Sequence, residues 1–329
     1  MSLEAWGWNE YFDARLSAEW RGKRARVVFA SRGVCRLSEE DGAIAAPPGM
    51  EPVAGDWVVY DPEAARVTEL LERRTWISRK AAGAPLREQV LAANVDVLFI
   101  VAGLDGDYNL RRLERYLVMA RQSGTAPVIV LNKSDLCEDA LARLGEVDRL
   151  TAGVDPVVLV SALEAGSLMQ LHRFIEPGQT GVLVGSSGAG KSTIVNALLG
   201  EEAQRTRGVR AEDSRGRHTT VGRHLFRLPA GWLLIDTPGL RELAPWAPAE
   251  AVALVFEDIE QAAAHCRFRD CRHQGEPGCA VAEAVARGQL DGGRVENYQK
   301  LTNEVTELER KRRWKIIHKA ARNMPDKRA

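Results

Sequence analysis

The sequence predicts a multidomain protein: an N-terminal all-β barrel over residues 1–75, a central α/β domain over 76–250, and a mostly α domain over 251–329. Three observations carry this. The first 75 residues are short strand-like stretches broken by Gly, Pro and Asp. Near-continuous apolar runs then alternate with helical stretches. Finally, a knot of Cys and His interrupts a helical C-terminal region. At roughly 150 residues per domain, 329 residues leave room for two or three such parts.

In the first part, 26–30 (RVVFA), 33–37, 53–60 (VAGDWVVY) and 66–70 read as strands, with a turn-rich connection over 46–52. Strands this short in so small a segment make a barrel. The OB-fold is the common RNA-binding kind, and an SH3-like barrel gives a similar pattern. In the second part, 95–101 (VDVLFIV), 127–131 (PVIVL), 156–160 (PVVLV) and 181–184 (GVLV) alternate with helices near 108–122, 138–150 and 164–175. That is the pattern of a parallel sheet covered on both faces, which strands near 223–228 and 232–235 complete. Beyond 250, Val295, Tyr298, Leu301, Val305 and Leu308 mark one face of a last helix.

Residues 185–192, Gly185, Ser186, Ser187, Gly188, Ala189, Gly190, Lys191 and Ser192, match the phosphate-binding loop, and Thr193 follows. The loop leaves a strand and opens a helix, as the pattern requires. Backbone amides cradle the phosphates, Lys191 neutralises the β- and γ-phosphates, and the Ser192 hydroxyl ligates Mg²⁺. Asp236-Thr237-Pro238-Gly239 ends another strand, with Asp236 for the magnesium shell and the Gly239 amide for the γ-phosphate. Asn132-Lys133-Ser134-Asp135 follows the strand over 127–131. The Asp135 carboxylate can accept from guanine N1–H and the 2-amino group, which adenine does not offer. Ser161-Ala162-Leu163 provides a third base-contacting loop, so the predicted nucleotides are GTP and GDP. The loops occur in a permuted order, base-recognition motifs before the phosphate loop, which a site made of strand-end loops tolerates.

Switch I is expected between the phosphate-loop helix and the strand near 223, with Thr219 or Thr220 contacting Mg²⁺. Leu240 stands where Ras-like enzymes place a water-orienting glutamine, and an apolar side chain cannot polarise water. Intrinsic hydrolysis is therefore expected to be slow and stimulated by a partner. His218 is the nearest alternative water-positioner, with an RNA or structural contact as its competing role. Gly188 replaces the asparagine usual in potassium-dependent GTPases, so no K⁺ site is expected.

Cys266, Cys271, His273 and Cys279 are spaced as a closed tetrahedral ligand set for one structural Zn²⁺ per chain, with His265 as a competing ligand for His273. Cys35 and Cys137 have no sequence partners and are expected in the core.

Lys+Arg and Asp+Glu balance at 45 each. The basic residues nonetheless gather. Residues 15–36 carry Arg15, Arg21, Lys23, Arg24, Arg26, Arg32 and Arg36 against Glu19. Residues 205–227 carry seven arginines against two acids, and 310–329 carry nine basic residues against Asp326. Separated blocks of this kind are the footprint of a polyanion surface, and no base-reading module accompanies them. No apolar run reaches the roughly 18 residues of a membrane span, and the first residues lack a signal peptide's apolar core. The five cysteines fit a reducing compartment. A cytoplasmic monomer with no membrane role is the expectation.

The permuted order, with GSSGAGKST, RHTT, DTPGL, CRFRDCRHQGEPGC, FEDI at 256–259, VAGDWV at 53–58 and EQVLAANVD at 88–96, resembles the bacterial ribosome small-subunit-dependent GTPase A family. The resemblance spans about 20–310. It implies an N-terminal OB-fold, a circularly permuted P-loop GTPase domain and a C-terminal zinc domain. It further implies GTP hydrolysis stimulated by the 30S ribosomal subunit, contact with its rRNA, and a role in late 30S maturation. An RNA-binding module that uses GTP with negligible turnover is the competing expectation.

Overall fold

The computed structural model describes residues 2–17, 22–31, 33–38, 42–81, 86–200, 223–236 and 247–322. Strands β1 (Lys23–Ser31), β2 (Val34–Leu37), β3 (Ile44–Ala45), β4 (Trp57–Asp61) and β5 (Arg66–Leu70) pair in the order β1-β2-β3-β5-β4. β4 then returns to β1, which closes a five-stranded barrel with OB-fold connectivity. In β2, Cys35 and Leu37 point inward while Val34 and Arg36 stay exposed, the period-two alternation of a one-sided strand. Ala25, Val27, Ile44, Val58, Tyr60 and Val67 fill the rest of the interior.

The expected strand over 53–60 begins only at Trp57. The Asp56 carboxylate accepts from the Val53 amide at 2.7 Å, which folds residues 53–56 into a turn instead. Three strands were not expected. β3 is two residues long, and the pair β6 (Trp76–Lys80) and β7 (Glu88–Ala93) forms a separate two-stranded sheet.

The central sheet runs β10 (Val157–Leu159), β9 (Ala126–Asn132), β8 (Val97–Gly103), β11 (Thr180–Val184), β13 (Leu233–Asp236), β12 (Arg223–Arg227). The first five are parallel. β8 and β11 are buried along their whole length, as strands covered on both faces must be. β12 is antiparallel to β13, so the sheet is mixed rather than wholly parallel. β12 also pairs antiparallel with β1, joining barrel and central sheet into one hydrogen-bonded surface of eleven strands.

Contacts divide the chain into two units. One comprises Met1–Ser78, Val90–Leu110 and Ser123–Leu243; the other comprises Arg79–Gln89, Arg111–Gln122 and Ala244–Ala329. In the second, Val118 packs with Val252, Phe256, Ile259, Val281 and Leu301. The expected face of the last helix, Gly292–Arg322, is buried at Val295, Tyr298, Leu301, Val305 and Leu308. Glu114, fully buried, accepts from Arg111 Nη1 at 2.6 Å, Arg294 Nη1 at 2.8 Å and Asn297 Nδ2 at 2.5 Å. Burial pushes its carboxyl above the ordinary range against these donors.

In the first unit, Arg26 lies in the basic block read as a polyanion surface, yet it is buried. Nε donates to Gly55 O at 3.0 Å, Nη2 to Asn94 O at 3.0 Å and Thr180 Oγ1 at 2.9 Å, and Nη1 to Trp6 O. One guanidinium on β1 thus holds the N-terminal turn, the segment before β4, the end of β7 and the start of β11. Burial pulls its pKa down to about 10, opposed by Asp96 and Asp56, so it stays charged at neutral pH. Arg15 of the same block pairs with Glu72 at 3.0 Å. Replacing Arg26 with Ala would take the guanidinium donor from the Trp6 and Asn94 carbonyls and the Thr180 hydroxyl, and would leave the Gly55 carbonyl only its bond from Asn94 Nδ2. Urea unfolding of Arg26→Ala should show a loss of about 3 kcal/mol or more, and Arg26→Lys should recover only part of it.

Candidate nucleotide site and metal cluster

The carboxyl ends of β8, β9, β10, β11 and β13 lie along one edge of the sheet, because the strands are parallel. β9 and β10 lie to one side of β8, and β11 and β13 to the other. The strand order reverses there, the usual place for a ligand in an open α/β sheet. Asn132 ends β9, Ser161-Ala162 follows β10, Gly185 follows β11 and Asp236 ends β13.

Asn132 joins three of these loops. Its Nδ2 donates to Ala189 O at 2.8 Å, and its Oδ1 accepts from the Ala162 amide at 3.0 Å. The carboxamide is 1% exposed and so bonded on both sides without water. Gly190 has φ +95, and a Cβ there would collide with Asn132 Nδ2, so the contact also selects glycine. Gly185, at φ +147, is likewise closed to a side chain by the Val101 carbonyl.

Lys191 turns back over the loop and donates to Gly185 O at 2.7 Å and to Ser186 O. Gly188 takes φ +86 at the exposed tip beside Ser187. Ser192 and Thr193 are exposed in the first turn of the helical segment 191–200, whose Ile194, Val195 and Leu199 are anchored in the core. Lys133 has φ 64, a left-handed conformation uncommon for a side-chain-bearing residue. Asp135 sits exposed in the turn Ser134–Leu136. The Ser161 amide donates to Ser167 Oγ at 3.0 Å, while Ser161 Oγ is a buried hydroxyl without a hydrogen-bond partner. Asp236 is half-buried at its strand end.

Two acidic residues that the sequence reading did not single out border the site. Asp105 pairs with Lys133, and the Asp107 carboxylate accepts from the Ser186 hydroxyl. The Lys133 hydrogen bond holds the Asp105 carboxyl below the ordinary range. Their only sequence signal was position, just beyond a buried strand. His218, Thr219, Thr220, Gly239 and Leu240 lie outside the described residues.

In the second unit, the ligand atoms of Cys266, Cys271, His273 and Cys279 all lie within 4.8 Å of one another. Cys266 Sγ is 3.6 Å from His273 Nδ1 and 4.0 Å from Cys279 Sγ, and Cys279 Sγ is 3.5 Å from His273 Nδ1. A tetrahedral ion with metal–sulfur bonds of ~2.3 Å and metal–nitrogen bonds of ~2.0 Å sets such donors ~3.5–3.8 Å apart. The donor set therefore fits one metal ion. His273 at φ 59 is held by Gln299 Nε2, which donates to its carbonyl at 2.7 Å. The Glu276 carboxylate accepts from the Arg272 and Gln274 amides at 3.0 and 2.7 Å, closing the turn around the ligand. Cys35 is buried as expected, whereas Cys137 is only half-buried.

A phosphate-loop sheet whose base-recognition loops precede the phosphate loop defines a circularly permuted P-loop GTPase. The model of the RsgA GTPase family matches residues 70–246, and that described as 50S ribosome-binding GTPase matches 180–319. A small ribosomal subunit biogenesis GTPase RsgA 2 of Vibrio vulnificus is 43% identical over 98% of this chain and 95% of its own. The small ribosomal subunit biogenesis GTPase RsgA of Methanosarcina acetivorans is 44% identical over 91% of this chain and 84% of its own. Among solved structures, YjeQ from Thermotoga maritima superimposes with TM-score 0.62 at 26% identity, covering 86% of this chain and 98% of its own. YloQ, described as a circularly permuted GTPase, gives 0.60 at 25% identity, covering 89% and 98%. The chain belongs to the RsgA GTPase family, and it is a GTPase.

Asn132→Ala would leave the Ala189 carbonyl and the Ala162 amide without their buried partner. Its affinity for fluorescent GDP and GTP should fall about tenfold or more, while urea unfolding should shift far less than for Arg26→Ala.

Proposed function

We propose that this chain hydrolyses GTP in the late maturation of the 30S ribosomal subunit, bound to that subunit and its rRNA and stimulated by it. The observation that carries the reading is the Asn132 bridge, which gathers base-recognition and phosphate loops from distant parts of the chain at one sheet edge. The names of the relatives, small ribosomal subunit biogenesis GTPases, support the choice of subunit. Asn132, Lys133, Asp135, Ser161 and Ala162 take guanine and its ribose. Residues 185–193 cradle the phosphates, with Lys191 charging the β–γ bridge and the Gly239 amide on the γ-phosphate. Ser192 and Asp236, with Thr219 or Thr220, would hold Mg²⁺, which supplies charge neutralisation at the phosphates. His218 is assigned to positioning water, since Leu240 cannot.

A division into domains 1–75, 76–250 and 251–329 is part of this reading; the barrel of β1–β5 supports its first boundary, while residues 79–89 and 111–122 group with 244–329. A cytoplasmic monomer is part of this reading, in keeping with work on the 30S subunit. Among the described residues no helix is long and apolar enough to cross a membrane. The metal of the Cys₃His cluster is Zn²⁺ in a structural role, because all four donor positions are filled by protein and none is left for substrate.

Phosphate release from GTP should rise at least tenfold with 30S subunits, should not rise with 50S subunits, and should vanish in Lys191→Ala; ATP should be inert. No 30S effect in the intact protein would sink the proposal. Elemental analysis should give one zinc per chain. Cys279→Ser should lose the metal and lower the thermal midpoint of the C-terminal region, whereas a Cys35→Ser chain should keep its zinc.

A further inference from the structure

The barrel and the central sheet meet where β1 pairs with β12, and an unusual row of side chains crosses that seam. Phe29 on β1 lies opposite Arg36 on β2 and opposite His224 on β12. His224 in turn lies opposite Asp236 on β13. Directly opposed residues share a face of a sheet, so Arg36, Phe29, His224 and Asp236 form one row across four strands. The rings are stacked: Phe29 on His224 with centroids 4.5 Å apart and planes 27° apart, and His224 on Phe226 at 5.8 Å and 28°.

A bulge sets this arrangement. The register of β1 on β2 shifts between Val27 and Phe29. Val27 points into the barrel core, and the extra residue turns Phe29 to the outer face, beside the exposed Arg36. Packing alone does not require this, since Phe29 is only half-buried there.

We infer that the Arg36–Phe29–His224 row is a stacking platform for a base of single-stranded RNA. Two features select that occupant. First, β1, β2 and β12 carry no acidic residue, and Arg36, exposed at the end of the row, offers a cation to a polyanion backbone. Second, the Arg36 guanidinium carbon stands 6.0 Å from the Phe29 centroid, whereas Arg15 lies on Tyr11 at 3.5 Å. Direct stacking needs the shorter distance. A planar base between the two groups needs ~7 Å, twice the ~3.4 Å spacing of stacked bases, so a small outward swing of Arg36 admits one. Such a site tolerates every base, because each presents a π-face. It differs from the general electrostatic attraction of the basic blocks, and it places RNA two strands from Asp236.

This rests on the rRNA reading of the protein, and the test separates the two. Binding of a fluorescent single-stranded RNA ten-mer and of purified 30S subunits is measured across a salt series, for the wild type, Phe29→Leu, Arg36→Lys and Arg36→Ala. Phe29→Leu should weaken RNA binding about tenfold or more with an unchanged salt slope. Arg36→Lys should lose most of the affinity that Arg36→Ala loses, because charge without a plane does not stack. RNA substituted with 5-iodouridine should photocross-link to Phe29 or His224 in the unmutated protein, which decides the matter should Phe29→Leu fold poorly. Wild-type RNA binding with unaffected variants and cross-links elsewhere would overturn the platform while leaving the rRNA reading intact. Loss of 30S binding with unchanged RNA binding would instead make the row a seat for a ribosomal protein and overturn it too. Failure of the wild type to bind either RNA or subunit would remove both.

Discussion

A cation with no access to water sits at the centre of the first unit. Arg26 spends its donors on carbonyls and a hydroxyl from four segments that are far apart in sequence. No aliphatic residue of similar size could satisfy those acceptors, and a lysine could not reach them in a planar fork. Barrel closure at Trp57 and the start of the phosphate-loop strand at Thr180 lie within two residues of its contacts, and the β1–β12 seam begins three residues further along β1. The nucleotide loops therefore spring from a framework that this guanidinium fixes, and the Asn132 carboxamide completes the arrangement at the far end of the sheet.

The candidate nucleotide site was the most legible part of the chain. Loops that bind phosphate or guanine demand particular residue types at fixed spacing, so Asn132, Asp135, Gly185–Ser192 and Asp236 could be singled out as candidates without any fold in hand. The four metal-cluster residues were legible for the same reason: thiolates and imidazole within a short span have few other uses. Apolar runs located the buried strands β8, β9 and β11, because strands covered on both faces are marked by composition alone.

Other features were not legible, each for a physical cause. Strand direction leaves no mark in a hydrophobic pattern, so the antiparallel course of β12 and its pairing with β1 are visible only in the folded chain. β3 is too short to show a period. Arg26 and Arg36 read identically as members of a basic block; which is buried depends on acceptors contributed by residues up to 154 positions away. Asp105 and Asp107 matter through an ion pair with Lys133 and a hydrogen bond from the Ser186 hydroxyl that no local pattern announces.

The β1–β12 seam carries a consequence for synthesis. Its two strands lie almost two hundred residues apart, and β12 needs β13 on its other edge. A nascent chain with only its first hundred residues outside the ribosome can close the barrel, but it presents Phe29 without His224 behind it. The ring stack is completed only after residue 236 has emerged, and with it every strand of the nucleotide site. Long-range pairing of this kind is slow to form. Here the delay acts as an ordering rule: a translating chain cannot assemble its RNA-stacking row before the module that would govern it.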